Sequence, residues 1–353
     1  MLERLRLADI AIPPEDISVE RASGRNDNTV VRCKGRGSYF IKRAYADNSS
    51  AARALSYEAA FCRFFEERDT APQPDGLVPR LAAYDAEHCE FAYVLLEEAT
   101  TLWSAYDGSF AVAVALEAGK RLAHLHRRCT ELATAETRAW IVSEAPAAFR
   151  IHRPAPGDLS VLTAAAYKVI TIVQQRTRIC EQLDLMRERW EHLGIIHGDI
   201  RSDNVLVRYE GDSNKRPVVH FVDFETVQFG DPAWDVAGAL QDAVLFWLYS
   251  MTPSAGVDLM VASAGHSLGE VQTLARALLH GYFSECALER REWMQFVDRT
   301  IRFSAVRMLQ SAYEAAADSD DLPAPSVLLL QLAENVLNDP QGAARSFYGL
   351  ALA

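Results

Sequence analysis

Ile195-Ile196-His197-Gly198-Asp199-Ile200-Arg201-Ser202-Asp203-Asn204-Val205-Leu206-Val207 reads as a tight polar loop held between two apolar strands. The loop carries His-x-Asp-x-x-x-x-Asn. A second stretch, Val218-Val219-His220-Phe221-Val222-Asp223-Phe224-Glu225, is a β-branched and aromatic run that ends on an Asp.

Upstream, two hairpins follow one another. Ile17 to Ser23, Thr29 to Cys33 and Tyr39 to Arg43 are the expected strands, with turns at Gly24-Arg25-Asn26-Asp27-Asn28 and Lys34-Gly35-Arg36-Gly37-Ser38. Lys42 ends the third strand. A helix is expected from about Ser50 to Arg68. Its Glu58 shares a face with Phe61, Cys62 and Phe65 by helical spacing. A carboxylate on an apolar face needs a partner, and Lys42 is the one the order of elements offers. Two more strands, Arg80 to Tyr84 and Phe91 to Leu96, lead to Glu97-Glu98-Ala99 and a domain boundary near residue 100.

In order, Lys42, Glu58, Asp199, Asn204 and Asp223 resemble the site residues of the protein-kinase-like fold. His-Gly-Asp, Asp-Phe-Glu and Gly230-Asp231-Pro232-Ala233-Trp234-Asp235 are similar to the aminoglycoside phosphotransferase and choline kinase branch. The resemblance implies an α+β, two-lobed protein. Residues 1–100 would form a mostly antiparallel β nucleotide-binding lobe, and residues 101–353 a helical catalytic and acceptor-binding lobe. It implies ATP, or another nucleoside triphosphate, with Mg²⁺ held by Asn204 and Asp223. Asp199 would take the acceptor hydroxyl's proton. Lys42, paired with Glu58, would contact the α- and β-phosphates. Gly24 and Asn28 fall in the turn expected over the phosphates, and Glu97 falls at the hinge beside the adenine. Arg201 stands where protein kinases carry Lys. It would offer a guanidinium to the phosphoryl oxygens, or would pair with Asp203 or an acidic side chain of the large lobe. His197 and Asp235 would brace the loop. Glu225 replaces the Gly of protein kinases, and no Ala-Pro-Glu follows, so a mobile activation segment is not expected.

A formal net charge of −12 over 353 residues argues against nucleic acid or an anionic membrane as partner. No apolar run reaches membrane-spanning length. The 6 Cys have no metal-ligand spacing and read as reduced thiols in a cytoplasmic protein.

The helical remainder bears on the acceptor. Helices are expected at 110–128, 160–193, 236–251, 268–286, 291–317 and 326–337, with a Pro-rich loop at 145–158. His126 reads as a packed structural histidine. Glu285, Glu289, Glu292, Asp298 and Glu314 are candidates for an acidic cleft that would take a cationic acceptor, or for a solvated face. The expected activity is transfer of the γ-phosphate to a hydroxyl, on a small molecule such as an aminoglycoside or amino alcohol. Ser or Thr of a ribosomal precursor peptide, acted on with a partner lyase, is the alternative acceptor. A pseudokinase-like binding module is the alternative outside catalysis.

Overall fold

The structure is a computed structural model. It describes residues 14–22, 26–35, 37–45, 49–68, 76–109, 111–155, 157, 162–211, 215–252, 256–317 and 319–350. The turn residue Gly24 lies outside these.

The strands and helices run in the order β1 (Ile17–Ala22), β2 (Asp27–Cys33), β3 (Gly37–Arg43), α1 (Ser49–Arg68), β4 (Leu81–Asp85), β5 (Glu90–Val94), β6 (Thr100–Thr101) and α2 (Leu102–Tyr106). Next come α3 (Ala111–Glu131), α4 (Ala135–Arg138), α5 (Ala164–Gln174), α6 (Thr177–Glu188), β7 (Gly194–Ile196), β8 (Val205–Glu210), β9 (Arg216–Phe221) and β10 (Gln228–Gly230). The chain closes with α7 (Ala233–Tyr249), α8 (Val257–Ala262), α9 (Leu268–Ser284), α10 (Arg290–Ala317), α11 (Ala324–Asn338) and α12 (Pro340–Ser346).

The chain divides into two compact units. The first takes Met1–Ser104 and Asp203–Val227; the second takes Ala105–Ser202 and Gln228–Ala353. In the first, an antiparallel sheet has the order β1-β2-β3-β5-β4, and β6, β8 and β9 form a smaller sheet. Val31, Cys33 and Ile41 pack with Ala92 on one face of the larger sheet. On the other face, α1 turns Leu55, Ala59 and Cys62 onto Phe91 and Tyr93. The 3.6-residue period that buries these also buries Glu58.

The second unit is helical around α10, which buries Phe303, Val306 and Leu309. Phe149, Trp190, Trp234 and Phe303 meet there with ring centroids 5.5–6.0 Å apart. Helices α3 and α9 touch backbone to backbone. A Cβ on Gly119 would lie 2.0 Å from the Leu278 carbonyl oxygen, and one on Gly281 would lie 2.0 Å from that of Leu116. Only residues without a side chain permit that approach.

The single helix expected over 160–193 is two helices. Gln175 is still helical, but Arg176 has φ −107° and ψ 77°, and α6 starts after it. The apolar phase explains the break. Val169, Ile170 and Val173 are buried in α5, whereas Ile179 and Leu183 are buried in α6. An unbroken helix continuing from Val173 would turn Arg176, Thr177 and Cys180 inward instead.

Candidate functional site

The first unit gathers one group of polar side chains. Lys42 is only 7% exposed and Glu58 1%. The Lys42 ammonium donates to both Glu58 oxygens, at 3.0 and 2.8 Å, and to Asp223 Oδ1. Asn28 lies directly across the β2–β3 ladder from Lys42 and is also buried. Burial alone would pull the Lys42 pKa down. The two carboxylates on either side outweigh it and raise it, so the lysine is fixed as a cation. Burial pushes Glu58 up, and the Asp223 charge adds to this against the pull of Lys42. With both carboxylates ionised, one ammonium between them leaves the group net negative.

The loop after β9 is tied to α1. The Phe224 amide donates to Glu58 Oε1 at 3.3 Å, the Phe224 and Phe61 rings stack at 5.4 Å, and the Tyr57 hydroxyl donates to the Val227 carbonyl at 2.7 Å. Asp223 itself is left-handed, with φ 69° and ψ 58°. A non-glycine residue in that region is uncommon and is held there by its surroundings. In the β8–β9 hairpin Val205 pairs with Phe221, which puts Asn204 and Asp223 at one end. The Val222 amide donates to the Asn204 carbonyl there at 3.0 Å.

These residues fit a hard divalent cation. An amide and a carboxylate supply oxygen donors at one end of one hairpin, and the group is net negative. Lys42 engages Oδ1 of Asp223; among the described residues, Oδ2 receives no hydrogen bond.

The second unit gathers another group. Asp235, fully buried at the start of α7, accepts the backbone amides of His197 at 2.7 Å and Gly198 at 2.9 Å. His126 Nε2 lies 3.0 Å from the same carboxylate, and its Nδ1 lies 2.9 Å from the Tyr282 hydroxyl. Gly198, at φ 87°, is the turn that lets both amides point one way, and its carbonyl accepts from the Trp234 indole at 2.9 Å. The Asp199 amide donates to His197 Nδ1 at 3.3 Å. The Asp199 carboxylate accepts from Arg307 at 2.9 Å. Burial would raise the Asp199 pKa, but the Arg307 and Arg201 charges prevail and hold it below the usual carboxylate range.

Arg201 donates to Glu314 at 3.4 Å. Glu97 pairs with Arg32 at 3.7 Å, on the surface of the first unit. The acidic residues proposed for one cleft are dispersed. Glu292 and Glu314 lie on α10 and are roughly 33 Å apart at 1.5 Å per residue. Asp298 pairs with Arg302 at 2.8 Å.

Sequence reasoning missed Arg307 and Tyr282. Nothing in the spacing of a 28-residue helix marks one of its arginines as the partner of a loop residue 108 positions away.

If Lys42 and Glu58 share one electrostatic group, Lys42→Ala leaves two carboxylates facing each other. Glu58→Ala leaves Lys42 with Asp223. We expect the double variant to lose less stability than the two singles added together, by at least about 1 kcal/mol. Urea unfolding of the four proteins measures it, and strict additivity would remove the pair.

No curated protein sequence matches the chain. A solved amicoumacin kinase, hAmiN, in complex with AMP-PNP, Ca²⁺ and Ami is 14% identical, with 94% of this chain and 90% of that one covered and a TM-score of 0.55. The GDP complex of a point variant of aminoglycoside 2'-phosphotransferase-IIIa is 15% identical, with 98% and 97% covered and a TM-score of 0.54. These likenesses establish the α+β protein-kinase-like fold. The model of the phosphotransferase enzyme family matches residues 18–282, a span that takes in Lys42, Glu58, Asp199, Asn204, Asp223 and Asp235. The chain therefore belongs to the phosphotransferase enzyme family and is a phosphotransferase with an alcohol group as acceptor.

Proposed function

We propose that the chain moves the γ-phosphoryl group of ATP to a hydroxyl of a small molecule, with aminoglycosides and amino alcohols as the acceptor classes. The observation that carries this reading is the buried Lys42 between Glu58 and Asp223. Lys42 presents a fixed cation to phosphate oxygens, and Glu58 holds its position. Asn204 and Asp223 are the residues that would hold Mg²⁺. When bound, it would supply neutralisation of the phosphate charge. Asp199 orients the acceptor hydroxyl and takes its proton as the new O–P bond forms and the bond to the β-phosphate oxygen breaks. Arg201 donates to the phosphoryl oxygens as charge spreads over them.

The test is a transfer screen read by mass spectrometry. Aminoglycosides, amino alcohols and Ser-containing peptides are incubated with ATP or GTP, with and without Mg²⁺. A gain of one phosphoryl group on a small-molecule hydroxyl, dependent on Mg²⁺, is the expected result. Transfer confined to the peptides would overturn the acceptor class. With an acceptor in hand, Arg201→Ala is expected to lower kcat roughly ten- to a thousand-fold while ATP KM stays within a few-fold. Unchanged kcat with a lower melting temperature would return Arg201 to a structural role.

A further inference from the structure

Arg307 lies in the middle of α10 and is 5% exposed. Its guanidinium has fixed partners on several sides. One terminal nitrogen donates to Asp199 Oδ1 at 2.9 Å and to the Ile200 carbonyl at 3.1 Å. The other donates to Gln310 Oε1 at 3.1 Å, and the group lies 5.4 Å from the Trp234 ring centre. The chain of bonds continues. Gln310 Nε2 donates to Glu314 Oε1 at 2.8 Å, and Arg201 donates to Glu314 Oε2 at 3.4 Å. Residues 307, 310 and 314 share one face of α10 by helical spacing. The bonds thus leave the loop at Asp199, run along that face and return to the loop at Arg201.

A carboxylate and a guanidinium buried together need one another, because either alone would be an uncompensated charge. A merely structural pair requires no particular partner in the loop. Here the oxygen engaged belongs to the residue assigned above to the reacting hydroxyl. We propose that Arg307 is a positioning residue for phosphoryl transfer, fixing the orientation of the Asp199 carboxylate and partnering its charge while the Gln310–Glu314 relay sets Arg201 in the same frame. This rests on the assignment of Asp199 made under the proposed function.

Two effects follow. A carboxylate held at one oxygen loses rotational freedom, so its geometry toward the acceptor is set before the acceptor arrives. The same contact makes it a weaker base, so Asp199 orients more than it abstracts until late in the transfer. Among the described residues, the charged and titratable groups that act most on Asp199 include Arg307 from α10, and Arg201 and His197 from its own loop. Asp235 of α7 binds the backbone of that loop.

The test compares Arg307→Gln, Arg307→Lys and Asp199→Asn with the unaltered full chain. The Asp199 carboxyl is titrated by ¹³C NMR on aspartate-labelled protein, with Asp199→Asn assigning the resonance. Hydrolysis of Mg-ATP, in which water is the acceptor, gives kcat, KM and their pH profiles. Arg307→Gln should raise the Asp199 midpoint by about one pH unit or more. It should lower kcat roughly ten- to a hundred-fold with ATP KM within about threefold, and shift the acid limb of the profile upward with the midpoint. Arg307→Lys should restore most of the midpoint but only part of kcat, because one ammonium cannot serve Asp199, Ile200 and Gln310 together.

An unmoved midpoint and a wild-type pH profile in Arg307→Gln, with only a lower melting temperature, would overturn the inference. If that variant does not fold, Arg307→Lys decides: wild-type kcat there overturns it. Wild-type hydrolysis by Asp199→Asn is a separate outcome. It would remove Asp199 from the chemistry and the inference with it, whereas a slow Asp199→Asn beside an unaffected Arg307→Gln would remove the inference alone.

Discussion

Asp199→Asn is expected to fold, to bind nucleotide as the unaltered protein does, and to transfer phosphate on the order of a hundred- to ten-thousand-fold more slowly. The substitution is nearly isosteric, but it leaves the buried Arg307 without its charge partner, so a loss of stability short of unfolding is expected. Asn keeps an oxygen that can accept from Arg307, the partner that Asp199 has at 2.9 Å. What it loses is the negative charge that attracts and finally takes the hydroxyl proton. The loss should fall equally on kcat and kcat/KM, because the interaction strengthens only as the proton moves. Nucleotide affinity should change little, because the group assigned to the nucleotide is Lys42, Glu58, Asn204 and Asp223. Calorimetric titration with Mg-ATP checks the affinity, and steady-state transfer to the acceptor found in the screen checks the rate. Turnover within a few-fold of the unaltered protein would mean that another group handles the proton.

The contrast between Asp199 and Arg307 shows what sequence can and cannot tell. The placement of Asp199, Asn204 and Asp223 was legible because each sits at a fixed offset from an apolar run, and a short loop between strands leaves few places for its side chains. The pairing of Lys42 with Glu58 was legible for a similar reason: burial of the α1 face around Phe61 and Cys62 carries Glu58 inward by helical period alone. Strand ends moved by only a few residues, as at β2, which starts at Asp27 rather than Thr29. The break at Arg176 was missed because neither Pro nor Gly marks it; only the slip in apolar phase does, and that is plain once α5 and α6 are seen. Of the two readings of the acidic residues, their spread favours the solvated face, since Glu292 and Glu314 stand far apart on one rigid helix. Arg307 was beyond reach, since its partner is set by tertiary packing of α10 and not by anything near it in the chain.

Asp235 should be the costliest polar side chain to alter. Its carboxylate is fully buried and accepts two backbone amides while contacting His126. Asp235→Ala leaves the His197 and Gly198 amides without that acceptor, and we expect a loss of about 3–5 kcal/mol. Asp235→Asn keeps one good acceptor but turns an NH₂ group toward a second donor, and we expect roughly 2–4 kcal/mol. The dependence on pH fixes the sign. Burial would raise the Asp235 pKa, but the His126 contact, the His197 charge and the Gly198 amide hold it below the usual carboxylate value. A group whose pKa falls on folding stabilises the protein above its unfolded pKa, about 4, and that stabilisation is lost as pH falls through the folded pKa. Between those two values the unfolded chain binds more protons, so stability should rise with pH in the unaltered protein and rise less steeply in Asp235→Asn. Thermal unfolding followed from pH 3 to pH 7 measures both slopes. Parallel slopes would show that Asp235 does not titrate with folding, and a melting temperature in Asp235→Ala within a degree or two of the unaltered protein would show that the loop at His197–Asp199 is held by something else.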